Sequence, residues 1–158
     1  MAAGDAGVLL VDYESNITIS KCTFDNNTAG INGGVLYTYF YPTNYTISSS
    51  SFTNNQAGVD GGVMFVGRAS SKVKVRKSIF SYNSATGRGG AIAIAGSTLH
   101  INSARLCEKN TAKLGRVISA CKSKVIITNP KIPSVPDPIY SFCTLYDCSN
   151  STYTFSKP

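Results

Sequence analysis

Eight acids are available for chemistry in this 158-residue chain: Asp5, Asp12, Glu14, Asp25, Asp60, Glu108, Asp137 and Asp147. Glycoside hydrolysis needs two carboxylates converging on one groove, roughly 5 to 9.5 Å apart. Asp5 and Asp60 hold the same register of an internal repeat, but two units apart, with Asn32 between them and Arg88 beyond. If the units stack at about 4.8 Å per strand, the two acids stand roughly 10 Å apart, beyond even the inverting separation. Turn polarity explains them better. A lyase would want calcium-binding acids beside a basic proton acceptor, and the basic part of the chain is nearly free of acids. The lone His100 falls on a strand, facing out to solvent, with no orienting acid. No Gly-x-Ser-x-Gly or phosphate loop is present, and Gly87-Arg-Gly89-Gly90 belongs to the repeat. Five cysteines, Cys22, Cys107, Cys121, Cys143 and Cys148, form no Cys-x2-Cys pair, so neither a metal nor another cofactor is expected. Cys107 with Cys121, and Cys143 with Cys148, are bridges in an oxidising compartment or thiols otherwise. The Asn-x-Ser/Thr patterns at Asn16, Asn26, Asn44 and Asn150 show no clear excess over what this composition yields by chance.

Charge is the more informative signal. Residues 1–67 carry one base and five acids, whereas residues 68–124 carry twelve bases against Glu108 alone. Lys74 and Arg76 alternate with Val73 and Val75, which places both on the outer face of a strand. Lys72, Lys74, Arg76, Lys77, Arg88 and Arg105 are the candidate binding residues for a polyanion such as an acidic glycan. The plainer reading is a solvated face whose like charges discourage sideways sheet association. Specific nucleic-acid binding is not expected, because no recognised binding fold is visible and the aromatics occupy repeat positions.

The elements that must position these residues come from the repeat. The pairs Gly33-Gly34, Gly61-Gly62 and Gly89-Gly90 lie 28 residues apart, with degenerate copies at Ala6-Gly7 and Gly115-Arg116. A second register runs Phe24, Phe52, Phe80, Cys107, each followed three residues later by asparagine: Asn27, Asn55, Asn83, Asn110. A third runs Ile19, Ile47, Val75, Ile101, Ile127. Apolar and polar residues alternate with period two and no helical stripe is present, so the unit is built of strands. It is too short for a propeller blade and lacks the leucine-rich pattern, and a coil of a parallel β-helix fits it. Equivalent residues then stack into columns. Phe24, Phe52 and Phe80 form an apolar one, and the asparagines form a structural ladder at a bend where left-handed backbone angles are tolerated and side-chain amides bond up and down. The glycine pair serves another close turn.

Phe-x-x-Asn, then alanine, then Gly-Gly and two apolar residues resembles the repeat of the polymorphic outer-membrane proteins, the chlamydial surface adhesins. Three copies carry it: Phe24 to Leu36 with Ala29, Phe52 to Met64 with Ala57, and Phe80 to Ile92 with Ala85. The resemblance implies a right-handed β-helix of a secreted or surface protein.

The expectation is therefore an all-β, right-handed parallel β-helix solenoid of about five coils of 26–28 residues over 1–130, with a truncated N-terminal end. Residues 131–158, holding Pro133, Pro136 and Pro138 besides two cysteines, form a cap or an irregular coil. No stretch has the roughly 18 uncharged apolar residues of a membrane helix. The expected role is a non-enzymatic structural or adhesion module, extracellular or on the cell surface as part of a longer protein, meeting an acidic glycan or another surface ligand. The competing role is a fragment of a carbohydrate-active β-helix, a polysaccharide lyase or hydrolase, with its catalytic coils elsewhere.

Overall fold

Period-two alternation with frequent β-branching dictates strands, and the computed structural model shows nothing else among its regular elements. It describes residues 4–67, 70–129, 145–147 and 151–156, which hold no helix. The first coil comprises β1 (Leu9–Val11), β2 (Ser15–Ser20), β3 (Thr23–Asp25) and β4 (Thr28–Ala29). The second comprises β5 (Leu36–Thr38), β6 (Thr43–Ser48), β7 (Ser51–Thr53) and β8 (Gln56–Ala57). The third has β9 (Met64–Val66), β10 (Lys72–Arg76), β11 (Ile79–Ser81) and β12 (Ser84–Ala85). Then follow β13 (Ile92–Ala95), β14 (Thr98–Asn102) and β15 (Arg105–Glu108), and after them β16 (Ile118–Cys121) and β17 (Lys124–Thr128).

Each strand pairs in parallel with its equivalent one coil along, so the chain is a parallel β-helix. The first sheet begins β1-β5-β9-β13-β16, the second holds β2-β6-β10-β14-β17, the third β3-β7-β11-β15 and the fourth β4-β8-β12. Past residue 130, β18 (Leu145–Asp147) adds to β16 and β19 (Thr152–Ser156) adds to β17, so two sheets gain a further rung. Pro133, Pro136, Pro138, Cys143 and Cys148 lie outside the described residues.

The columns are real neighbours. Ile19, Ile47, Val75, Ile101 and Ile127 sit in register on the second sheet, all buried. The rings of Phe24 and Phe52 stack 5.0 Å apart, those of Phe52 and Phe80 4.8 Å apart, nearly parallel in both cases. The fourth copy departs from expectation. Ile79 pairs with Arg105 but Ser81 with Glu108, so one extra residue is taken up between them, and Leu106 is the residue buried in the core there.

Corners explain the small and polar residues. A residue with positive φ sits at most of them, for instance Lys21, Ser49, Lys77, Ser103 and Asn129 after the strands of the second sheet. At the next corner the left-handed residues are Asn26, Asn54, Tyr82 and Lys109, one place before the ladder asparagines that were expected to adopt that conformation. The left-handed residue reverses the chain, and the residue after it points inward, where its side chain can reach the neighbouring coils. Asn27, Asn55 and Asn83 thus each direct backbone N–H and side-chain Nδ2 to the Oδ1 of the asparagine one coil on, Asn55, Asn83 and Asn110, at 2.9 to 3.0 Å. The same Nδ2 groups of Asn55, Asn83 and Asn110 also donate to the carbonyls of Phe24, Phe52 and Phe80. These buried amides are satisfied from both sides.

Candidate functional site

The predicted basic residues follow from the same alternation. On β10, Val73 and Val75 enter the core, and Lys72, Lys74 and Arg76 point outward. Lys77 comes next, at the corner with φ 48°. The neighbouring rung on one side presents Asn44, Thr46 and Ser48, and on the other Thr98, His100 and Asn102. Lys124 on β17 sits in register with Thr98, and so lies two rungs from Lys72, roughly 10 Å away. No described residue at these positions is a carboxylate. Adjacent outward cations on one strand are about 7 Å apart, and each such pair repels by only about 0.6 kcal/mol in water. The face is thus tolerable to the fold while remaining a concentrated positive field.

The other two predicted cations are placed differently. Arg105 is exposed on the third sheet, in register with Ile79, around the corner from Lys77. Arg88 is separated from the group. It lies at the corner between the fourth and first sheets, where its guanidinium meets Asp60 with Nη2–Oδ2 2.7 Å and Nε–Oδ2 3.1 Å. Its charge is largely spent on that 4% exposed carboxylate.

Asp60 belongs to a file of polar corner residues. Asp5 Oδ1 accepts from the backbone N–H and the Nδ2 of Asn32, Asn32 Oδ1 accepts from the N–H of Asp60, and Asp60 Oδ1 accepts from the N–H of Arg88. Asp5 and Asp60 are therefore held one above the other with an amide between them, each bonded into the corner. Asp25 is exposed at another turn, and hydrogen bonds from Thr53 and then Asn54 hold its carboxyl below the usual carboxylate range. His100 stacks in register over Lys74. It is half-buried rather than solvent-exposed, and its Nε2 is enclosed without a hydrogen-bond partner. Cys22 is an exposed free thiol. Cys121 is disulfide-bonded, with its partner outside the described side chains, as is the expected Cys143–Cys148 pair. Among the described residues, no three His, Cys, Asp or Glu side chains group as a metal site would require.

Two features escaped the repeat analysis. Serine ladders run up two corners: the N–H of Thr43, Ser71, Ser97 and Ser123 donates to the Oγ of Ser71, Ser97, Ser123 and Ser151, and that of Cys22 and Ser50 to Ser50 and Ser78. Their recurrence at 26 to 28 residues was available as a signal. The second is a set of aromatics outside the Phe24, Phe52 and Phe80 column. Tyr13, Tyr39, Phe40 and Tyr41 gather at the corner between the first and second sheets, beside Tyr37 and Phe65 on the outer face of the first. Tyr13 with Tyr41 and Tyr37 with Phe65 keep the 28-residue step, whereas Tyr39 and Phe40 depart from the expectation that aromatics hold repeat positions.

Residues 21–39 and 77–95 match the family model of the Chlamydia polymorphic membrane protein repeat. Neither a curated protein nor a solved structure matches the chain. Both segments begin on a left-handed corner residue, Lys21 or Lys77, and run through the third sheet, the asparagine ladder and the glycine corner to the first sheet. The unit that the family model describes is thus the same three-quarter turn of the solenoid in two coils, and the chain is a parallel β-helix of which two segments match the Chlamydia polymorphic membrane protein repeat.

Proposed function

We propose that the chain is a structural or adhesion module, without catalysis of its own, of a secreted or cell-surface β-helix protein, and that the outer face around β10 engages an acidic glycan. The carrying observation is the row Lys72, Lys74, Arg76 and Lys77, joined by Lys124, on a flat polar sheet face. Arg105 extends that face around one corner, whereas Arg88 contributes to the fold through Asp60. The match to a surface-protein repeat supports the setting.

Chromatography on immobilised heparin tests the glycan reading. Lys74→Ser with Arg76→Ser alters two exposed side chains and leaves the core valines in place. Removing two cations near an anionic surface should weaken binding roughly tenfold or more and lower the eluting salt accordingly. Elution unchanged by the pair, at the salt of a featureless protein of net charge +7, would overturn the reading.

A further inference from the structure

The first two coils carry a second surface of opposite character. Their corner between the first and second sheets holds Asp12, Tyr13 and Glu14, all exposed, and in the next coil Tyr39, Phe40 and Tyr41. Tyr13 is 74% exposed and Phe40 75% exposed. Tyr13 stacks on Tyr41 with ring centroids 5.4 Å apart, Phe40 stands edge-on to Tyr39 at 4.7 Å, and Tyr39 lies 6.2 Å from Phe65, which stacks on Tyr37. These rings interrupt the repeat, since the corresponding corner position in the third coil is Gly67. A Cβ there would fall 2.3 Å from the Tyr39 ring, so the absent side chain makes room for it.

Aromatic faces attract cations through their quadrupole, and carboxylates beside them add a charge that a neutral or anionic ligand would not use. Burial, and after it the charges of Asp5, Tyr39 and Asp12, hold the Tyr37 phenol above its usual value. Such a contact occurs among the described residues, Lys109 Nζ lying 5.3 Å from the centre of the Tyr82 ring. We infer that the Asp12–Glu14 and Tyr39–Tyr41 corner is a docking site for a cationic, arginine- or lysine-bearing polypeptide segment. Charge complementarity selects this occupant. A phosphocholine headgroup also bears a cation, but its phosphate would face Asp12 and Glu14. A polyanion would be repelled there and drawn instead to the face around β10.

An octa-arginine peptide is a demanding probe, because a protein of net charge +7 repels it everywhere except at a local acidic site. Titration followed by amide NMR should shift signals of residues 12–14 and 39–41 first. Asp12→Asn with Glu14→Gln, and separately Tyr13→Ala with Tyr41→Ala, should each weaken binding at least about fivefold. All four side chains are exposed, and an unchanged spectrum elsewhere confirms the fold of each variant. No saturable binding, shifts spread over the whole surface, affinity unaffected by either pair, or capture by phosphatidylcholine vesicles in place of the peptide would each overturn the proposal.

Discussion

Tyr45 shows what a single position in a stacked column must accept. It follows Ile17 and precedes Val73 in register, among otherwise aliphatic side chains, and is 1% exposed. Its hydroxyl lies by Thr38 without a hydrogen bond of ordinary geometry, and burial pushes its pKa up to about 12 from 10.0. The folded chain therefore holds this proton more tightly than the unfolded chain. Stability is fully present below pH 10 and is lost as pH rises from about 10 to about 12, by an amount near 3 kcal/mol. Tyr45→Phe removes both the unpaired hydroxyl and that loss. Urea unfolding at pH 7 should find the variant as stable as the parent or more so, and the variant's advantage should grow between pH 10 and 12. A marked loss at pH 7, or an advantage that stays constant across that window, would mean the hydroxyl is paired.

At the scale of the element, both residues of the glycine corner are held to glycine by clearance, and the first also by conformation. Gly33, Gly61 and Gly89 have positive φ, and a Cβ on them would lie 2.2 to 2.3 Å from a backbone oxygen of their own coil; a Cβ on Gly34, Gly62 or Gly90 would lie 2.1 Å from the backbone oxygen of the next coil. Backbone cannot retreat as a flexible side chain can. Gly62→Ala should cost about 3 kcal/mol or more, whereas Gly4→Ala, with nothing within 4 Å, should be nearly neutral in the same unfolding experiment. The glycine pairs, the phenylalanines and the asparagines were legible because the three registers recur together, in phase, at a 28-residue step through three coils. The serine ladders were not, since serine is frequent at every turn and the step shrinks to 26 between Ser71 and Ser97. Nor could residue type reveal which corner positions are left-handed. Lysine, serine, asparagine and tyrosine all occupy them, because the stacked coils impose the conformation. The basic row on β10 was legible from alternation alone, and the shared register of Asp60 and Arg88 from the repeat, but the pairing that removes Arg88 from the row was not: it needs the guanidinium to fold back onto the carboxylate one rung away.

Across the whole molecule, contacts run between neighbouring coils, so stability should behave as a sum of coil terms and interface terms along one axis. Phe52 is the sharpest probe of this, being fully buried with a ring stacked on each side, whereas Phe24 is half-buried with one described partner, Phe52 itself. Phe52→Ala removes two interfaces and should cost about 3 to 5 kcal/mol, and Phe24→Ala should cost roughly half as much. The two should not be additive: once Phe52 is gone, Phe24 has lost its stacking partner, so the double variant should fall short of the sum by about 1 kcal/mol. Hydrogen exchange gives the spatial form of the same statement. In the Phe52→Ala chain, protection should drop most at Thr23–Asp25, Ser51–Thr53 and Ile79–Ser81, and least at Lys124–Thr128, which lies on the second sheet two rungs beyond β10. A uniform drop through every coil would show that the solenoid unfolds as one unit. In that case the acidic aromatic corner and the basic face would share a single stability, and neither could loosen without the other.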